Sequence, residues 1–179
     1  MHVAVSILEW FRVKGSADSA GHGDTDTVRR IVGELDKLDP QRARYLAAFA
    51  YVLSRVARAD LDVSEAETAK MVDLVQRVGN MPEEQAILVV AIAKSQNRFF
   101  GGTENFLVTR EFRQIASDAE CRELLDCLFA VAAADDAISA EEEAQIWQTA
   151  SELGFSHPEY VKVKLVYSDK RTVLKRDRS

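Results

Sequence analysis

Two stretches of the chain carry acidic side chains at the same spacing. Val56–Glu67 reads VARADLDVSEAE, and Val131–Glu142 reads VAAADDAISAEE, 75 positions further on. In each, an Asp stands four positions ahead of a Ser-x-x-Glu. Asp60, Glu67, Asp135 and Glu142 are hard oxygen donors, which suit a divalent cation such as Ca²⁺ or Mg²⁺ better than a thiophilic metal. Neither copy is an EF-hand loop, which needs Gly at the sixth position and Glu at the twelfth. Counted from Asp60 those positions hold Glu65 and Met71; counted from Asp135 they hold Ala140 and Ile146.

The same residues have a structural reading. Ser64-Glu65-Ala66-Glu67 and Ser139-Ala140-Glu141-Glu142 both fit the S-x-x-E capping box, in which the Ser side chain and the Glu side chain each satisfy a free backbone N–H at a helix start. That accounts for Ser and Glu. It does not account for the Asp. Asp60 and Asp135 fall at the end of a preceding helix, where the helix dipole disfavours an anion. Each needs a partner: loop N–H groups in a turn, or a cation shared with the nearby Glu. A capping carboxylate has two oxygens, so both readings stay open.

The remaining chemistry-bearing residues form no legible catalytic set. Phe100-Gly101-Gly102-Thr103-Glu104-Asn105-Phe106 lacks the Lys-Ser/Thr of a P-loop. It reads as an aromatic-packed loop, or as a small ligand or partner site using Thr103, Glu104 and Asn105. His2, His22 and His157 have no metal-ligand spacing, and His157-Pro158 reads as a helix start. No nucleophile–base triad is recognisable, so the chain is read as non-enzymatic. Cys121 and Cys127 are six apart, on different helix faces, and read as buried structural thiols in a reducing compartment. Trp147 reads as a core or half-buried residue.

These residues must be positioned by helices. With 3 Pro and 8 Gly in 179 residues, little interrupts the chain. Helix periodicity places Leu46, Phe49, Leu53 and Val56 on one face, and Met71, Leu74, Val75 and Val78 on another. Ala86–Ala93 is apolar all round and is expected to be the central buried helix. Further helices are expected at about 27–38, 109–117, 119–134, 140–153 and 157–168. The fold class is all-α, with about seven to nine helices. Residues 52–79 and 127–154 share nine identities in 28 at a constant offset, so a duplicated helix-loop-helix unit is expected. Three parts follow: a short N-terminal helix and flexible linker over 1–26, a helical domain over 27–168, and a basic tail over 169–179.

Charge is uneven. Lys162–Ser179 holds seven Lys/Arg against two Asp, leaving −11 for the rest of a chain of net −6. An acidic body argues against nucleic-acid binding. The basic end reads either as a solvated terminus or as a contact for an anionic surface, so peripheral membrane contact stays open. No signal peptide or membrane span is legible, and the expected location is cytoplasmic.

The doubled A-D-x-x-[VI]-S-x-x-E phrase resembles the TerB-like family, the TerB component of bacterial tellurite resistance and its relatives. Two further stretches carry the resemblance. One runs from Ala93-Lys94-Ser95-Gln96-Asn97-Arg98 into Phe100–Phe112; the other is Glu123-Leu124-Leu125-Asp126-Cys127-Leu128-Phe129-Ala130-Val131-Ala132. It covers about residues 40–168. It implies a compact helical domain tied to tellurite and chemical stress, and a divalent-cation site at Asp60, Glu67, Asp135 and Glu142. Relatives in membrane-associated co-chaperones imply the alternative, a protein-interaction adaptor without a metal. The family usually has Gly directly after the Asp; here stand Leu61 and Asp136.

Overall fold

The computed structural model describes residues 22–56, 64–96, 105–135 and 138–176. Eight α-helices are found among them and no strand: α1 (His22–Asp36), α2 (Pro40–Val56), α3 (Glu65–Val78), α4 (Glu83–Gln96), α5 (Asn105–Ile115), α6 (Asp118–Ala132), α7 (Ala140–Glu152) and α8 (His157–Arg176). A single 3₁₀ turn, Ala133–Asp135, extends α6. The expected all-α class holds, and so does the helical state of 157–168, whose apolar residues alternate like those of a strand.

The centre of the fold is α2, not the α4 segment expected there. Every residue from Tyr45 to Leu53 is buried. Ala47, Ala48 and Ala50 have almost no side chain to fend off neighbours, so α1, α4, α5, α6 and α7 all approach α2. Within the apolar run of α4, by contrast, Ile87 is 50% exposed. An all-round apolar helix is expected to be central, but small residues decide how many helices can gather round one axis.

Two aromatic clusters hold the halves. Tyr45 and Phe49 of α2 meet Phe112 of α5 at ring separations of 5.3 and 6.1 Å. Phe129 of α6 stacks on Tyr167 of α8 at 5.6 Å and tilts against Tyr160 at 5.5 Å. Trp147 is half-buried and meets Tyr160 edge-on at 4.9 Å. Fully burying one such ring contributes roughly 1.5–3 kcal/mol.

Three helix ends differ from expectation. The first helix starts at His22, ahead of Thr27, within the stretch read as linker. The fifth helix starts at Asn105 rather than near 109. The last runs to Arg176, through most of the stretch read as a tail. No Gly or Pro interrupts it after Pro158. The short helix expected over 3–12 lies outside the described residues.

Candidate functional site

Both phrases build the same cap. Ser64 Oγ accepts the N–H of Glu67 at 3.2 Å, and Glu67 Oε2 accepts the N–H of Ser64 at 2.8 Å. At the second copy, Ser139 Oγ accepts the N–H of Glu142 at 3.2 Å, and Glu142 Oε2 accepts the N–H of Ser139 at 2.7 Å. In both, the Ser hydroxyl also donates to that same Oε2 at 2.8 Å. The cap therefore uses one carboxylate oxygen and leaves Oε1 outside it.

The pattern is wider than the repeat. Ser117 and Glu120 form a third capping box at the start of α6. At the start of α8, Ser156 donates both its N–H and its Oγ–H to Glu159 Oε2, each at 2.7 Å. Both are legible as S-x-x-E, yet sequence reasoning weighed only the doubled pair. They separate the parts of the phrase. Arg113 and Glu152 stand four positions ahead of these other two serines, where the phrases have Asp60 and Asp135. Capping explains each Ser-x-x-Glu among the described residues, and the Asp four positions ahead is the element peculiar to the two phrases.

Of the predicted donors, Glu67 and Glu142 are placed, each in the first turn of its helix. Asp60 lies outside the described residues. Asp135 closes the 3₁₀ turn after α6, and its side chain lies outside them. Among the described residues, no three His, Cys, Asp or Glu side chains gather as a metal group. Thr103 and Glu104 also lie outside, and Asn105 is the first residue of α5.

The surroundings repeat too. Lys94 Nζ of α4 donates to Thr68 Oγ1, the residue after Glu67, at 3.0 Å. Lys164 Nζ of α8 pairs with the carboxylate of Glu143, the residue after Glu142. Each copy thus comprises three helices, the third sending a lysine back to the first turn of the second. The Asn80 amide donates to Glu123 Oε1 at 3.2 Å, which fixes the end of α3 beside the early part of α6.

The match between copies slips by one residue at their ends. Gly79 aligns with Gly154 in sequence, but Gly79 has φ −78° while Gly154 has φ +91°. The left-handed residue after α3 is Asn80, at φ 50°. Helix α3 is 14 residues long and α7 is 13, so Asn80, not Gly79, is the counterpart of Gly154. Gly79 is required for space instead: a Cβ there would lie 2.5 Å from the Val75 carbonyl oxygen.

The family model for the tellurite resistance protein TerB matches residues 45–165, which hold both phrases, both caps and the helices that carry them. The chain belongs to the TerB family. No curated protein and no solved structure gave a match.

The TerB domain also contains an ion pair that sequence reasoning missed. Arg55, in the last turn of α2, donates from Nη1 to Glu152 Oε2 of α7 at 2.6 Å and to Thr109 Oγ1 of α5 at 2.7 Å. The two charged side chains are 3% and 9% exposed. Arg55 Nε is buried with no hydrogen-bond partner among the described residues. Arg55 stands one residue before the end of α2, whose final residue, Val56, opens the first phrase, so this pair fastens the chain just ahead of it. The adjacent Val56 carried the apolar periodicity, and nothing in a charged residue at a helix end signals burial.

Electrostatics within the TerB domain separate the caps from the core. Hydrogen bonds from Ser64 hold the Glu67 carboxyl below the usual range, so it is an anion at neutral pH. The same effect from Ser156 lowers Glu159. Burial pushes the Cys127 thiol up to about 12 and raises Cys121, and both cysteines are free. An ionised Glu67 with one oxygen outside the cap is the right donor chemistry for a hard cation. The fit of the full set rests on Asp60 and Asp135.

Proposed function

We propose that this TerB-family chain is a non-enzymatic protein of the tellurite and chemical stress response. Its two phrases hold a divalent cation, Ca²⁺ or Mg²⁺, through Asp60, Glu67, Asp135 and Glu142. One observation carries the reading. Among the described residues four helices start with a Ser N–H bonded to the Glu three positions on, and only the two phrases carry an Asp four positions ahead of that Ser. The course of α3 along α6 supports a shared site. The end of α3 lies beside Glu123 in the early part of α6, and the two helices pack together. The buried thiols support a reducing, cytoplasmic setting.

Thermal unfolding with and without Ca²⁺ or Mg²⁺ tests this. A ligand that binds the native state at about 100 times its Kd adds roughly 2.7 kcal/mol. The wild type is expected to gain stability on adding the cation, and the Asp60→Asn/Asp135→Asn variant to gain none. Equal gains in both would remove the site from these residues.

The second reading is an adaptor that binds another protein over residues 98–108, whose last four residues open α5. Leu107, 61% exposed in the first turn of α5, favours it. Leu107→Ser should then abolish capture of that partner without changing the cation response.

A further inference from the structure

The helix α8 has two sides of opposite character. Tyr160, Val163 and Tyr167 are buried against the body, and Lys164 pairs with Glu143. On the side facing away, Leu165 is 54% exposed and Val166 47% exposed, with Lys162 exposed beside them. They are the one sequence-adjacent pair among the exposed large hydrophobic residues of the described chain. The backbone stays helical to Arg176 and brings Lys170, Arg171, Lys175 and Arg176 onto the same rod. Seven cations and two anions lie between Lys162 and Ser179, against −11 elsewhere. A rod of 20 residues is about 30 Å long.

We propose that this outward face of α8 docks on an anionic lipid surface, with Leu165 and Val166 entering the headgroup boundary and the flanking cations meeting lipid phosphates. Exposed aliphatic side chains flanked by Lys and Arg combine the two attractions that hold a protein on anionic lipid, apolar burial and charge. Lysine is depleted from protein interfaces, so aliphatic residues flanked by Lys162 and Lys170 suit an anionic lipid surface better. On lipid they need only add to attraction summed over the cations. Nucleic acid would use the cations but leave Leu165 and Val166 without a role. No described helix is long and apolar enough to cross a membrane, and the proposed contact is with the lipid surface alone.

Flotation of the full chain with vesicles tests this, using phosphatidylcholine alone against phosphatidylcholine mixed with phosphatidylglycerol. The protein is expected to float with the anionic vesicles only, at about 0.1 M salt, and to be released at about 1 M, where screening shortens to ~3 Å. Lys162→Gln, Lys170→Gln and Arg171→Gln should each weaken partitioning roughly fivefold. Leu165→Ser/Val166→Ser should weaken it with the charge unchanged. Failure of the wild type to float with anionic vesicles would overturn the proposal, whatever the variants do. So would full partitioning of the Leu165/Val166 variant, or equally tight binding to polyglutamate.

Discussion

Arg55 Nη1 lies 2.6 Å from Glu152 Oε2, and this buried pair fastens the helix that enters the first acidic phrase to the helix that follows the second. It joins the two copies of the repeat through their charges rather than their apolar faces. Removing one partner leaves the other charged and out of water. Arg55→Met or Glu152→Leu alone should each cost about 3–5 kcal/mol, and the double replacement much less than the sum. Urea unfolding of the three variants measures this; additive losses would mean that the pair does not act as a unit.

The caps should behave alike. Ser64→Ala, Ser117→Ala and Ser139→Ala are each expected to lower stability by about 1 kcal/mol. On separate helices the losses should add. A much larger loss at Ser64 or Ser139 than at Ser117 would mean that the phrases do more for the fold than capping.

The Glu67 cap has a pH signature. Hydrogen bonds hold its folded-state pKa below the unfolded value of about 4.3. Its contribution is therefore present above that unfolded value and fades as pH falls through the lower folded one. The stability difference between wild type and Glu67→Gln should be constant near neutrality and shrink on acidification. A difference that grows in acid would contradict the assigned direction.

The thiols should be silent. Cys121 and Cys127 are buried and free, with burial raising both toward the unreactive thiol form. Neither is expected to react with a disulfide reagent at pH 8 until the protein unfolds. Labelling of the native protein at a rate independent of denaturant would show an open route to them.

The helix ends give a paired test of the one-residue slip. Gly154→Ala places a side chain at φ +91°, which should cost about 1–2 kcal/mol. Asn80→Gly should cost less, because glycine relieves the same conformation and offsets the lost bond to Glu123. If Gly79→Ala were harmless, the close approach to Val75 and Met81 would not be what requires that glycine.

What the sequence made legible follows from which interactions are local. The caps at Ser64 and Ser139 are readable because all their partners lie within four residues. The helical state of 157–168 is readable from its neighbours and from His157-Pro158. The family is readable from the doubled phrase and the Ala93–Phe112 stretch. The central place of α2 is not, because it depends on what Ala47, Ala48 and Ala50 allow other helices to do. Arg55 with Glu152 is not, because the two are 97 positions apart and neither has a local marker. The equivalence of Asn80 and Gly154 is hidden by an identical glycine one residue away.

The central claim is that the Asp of each phrase binds a cation with the Glu of its cap. Calorimetric titration of Ca²⁺, then Mg²⁺, into metal-free protein tests it most directly, with Asp60→Asn/Asp135→Asn as the comparison. The account predicts saturable heat for the wild type and none for the variant. Absence of heat in the wild type, or the same heat in both, would contradict it and leave the two phrases as helix caps with a turn.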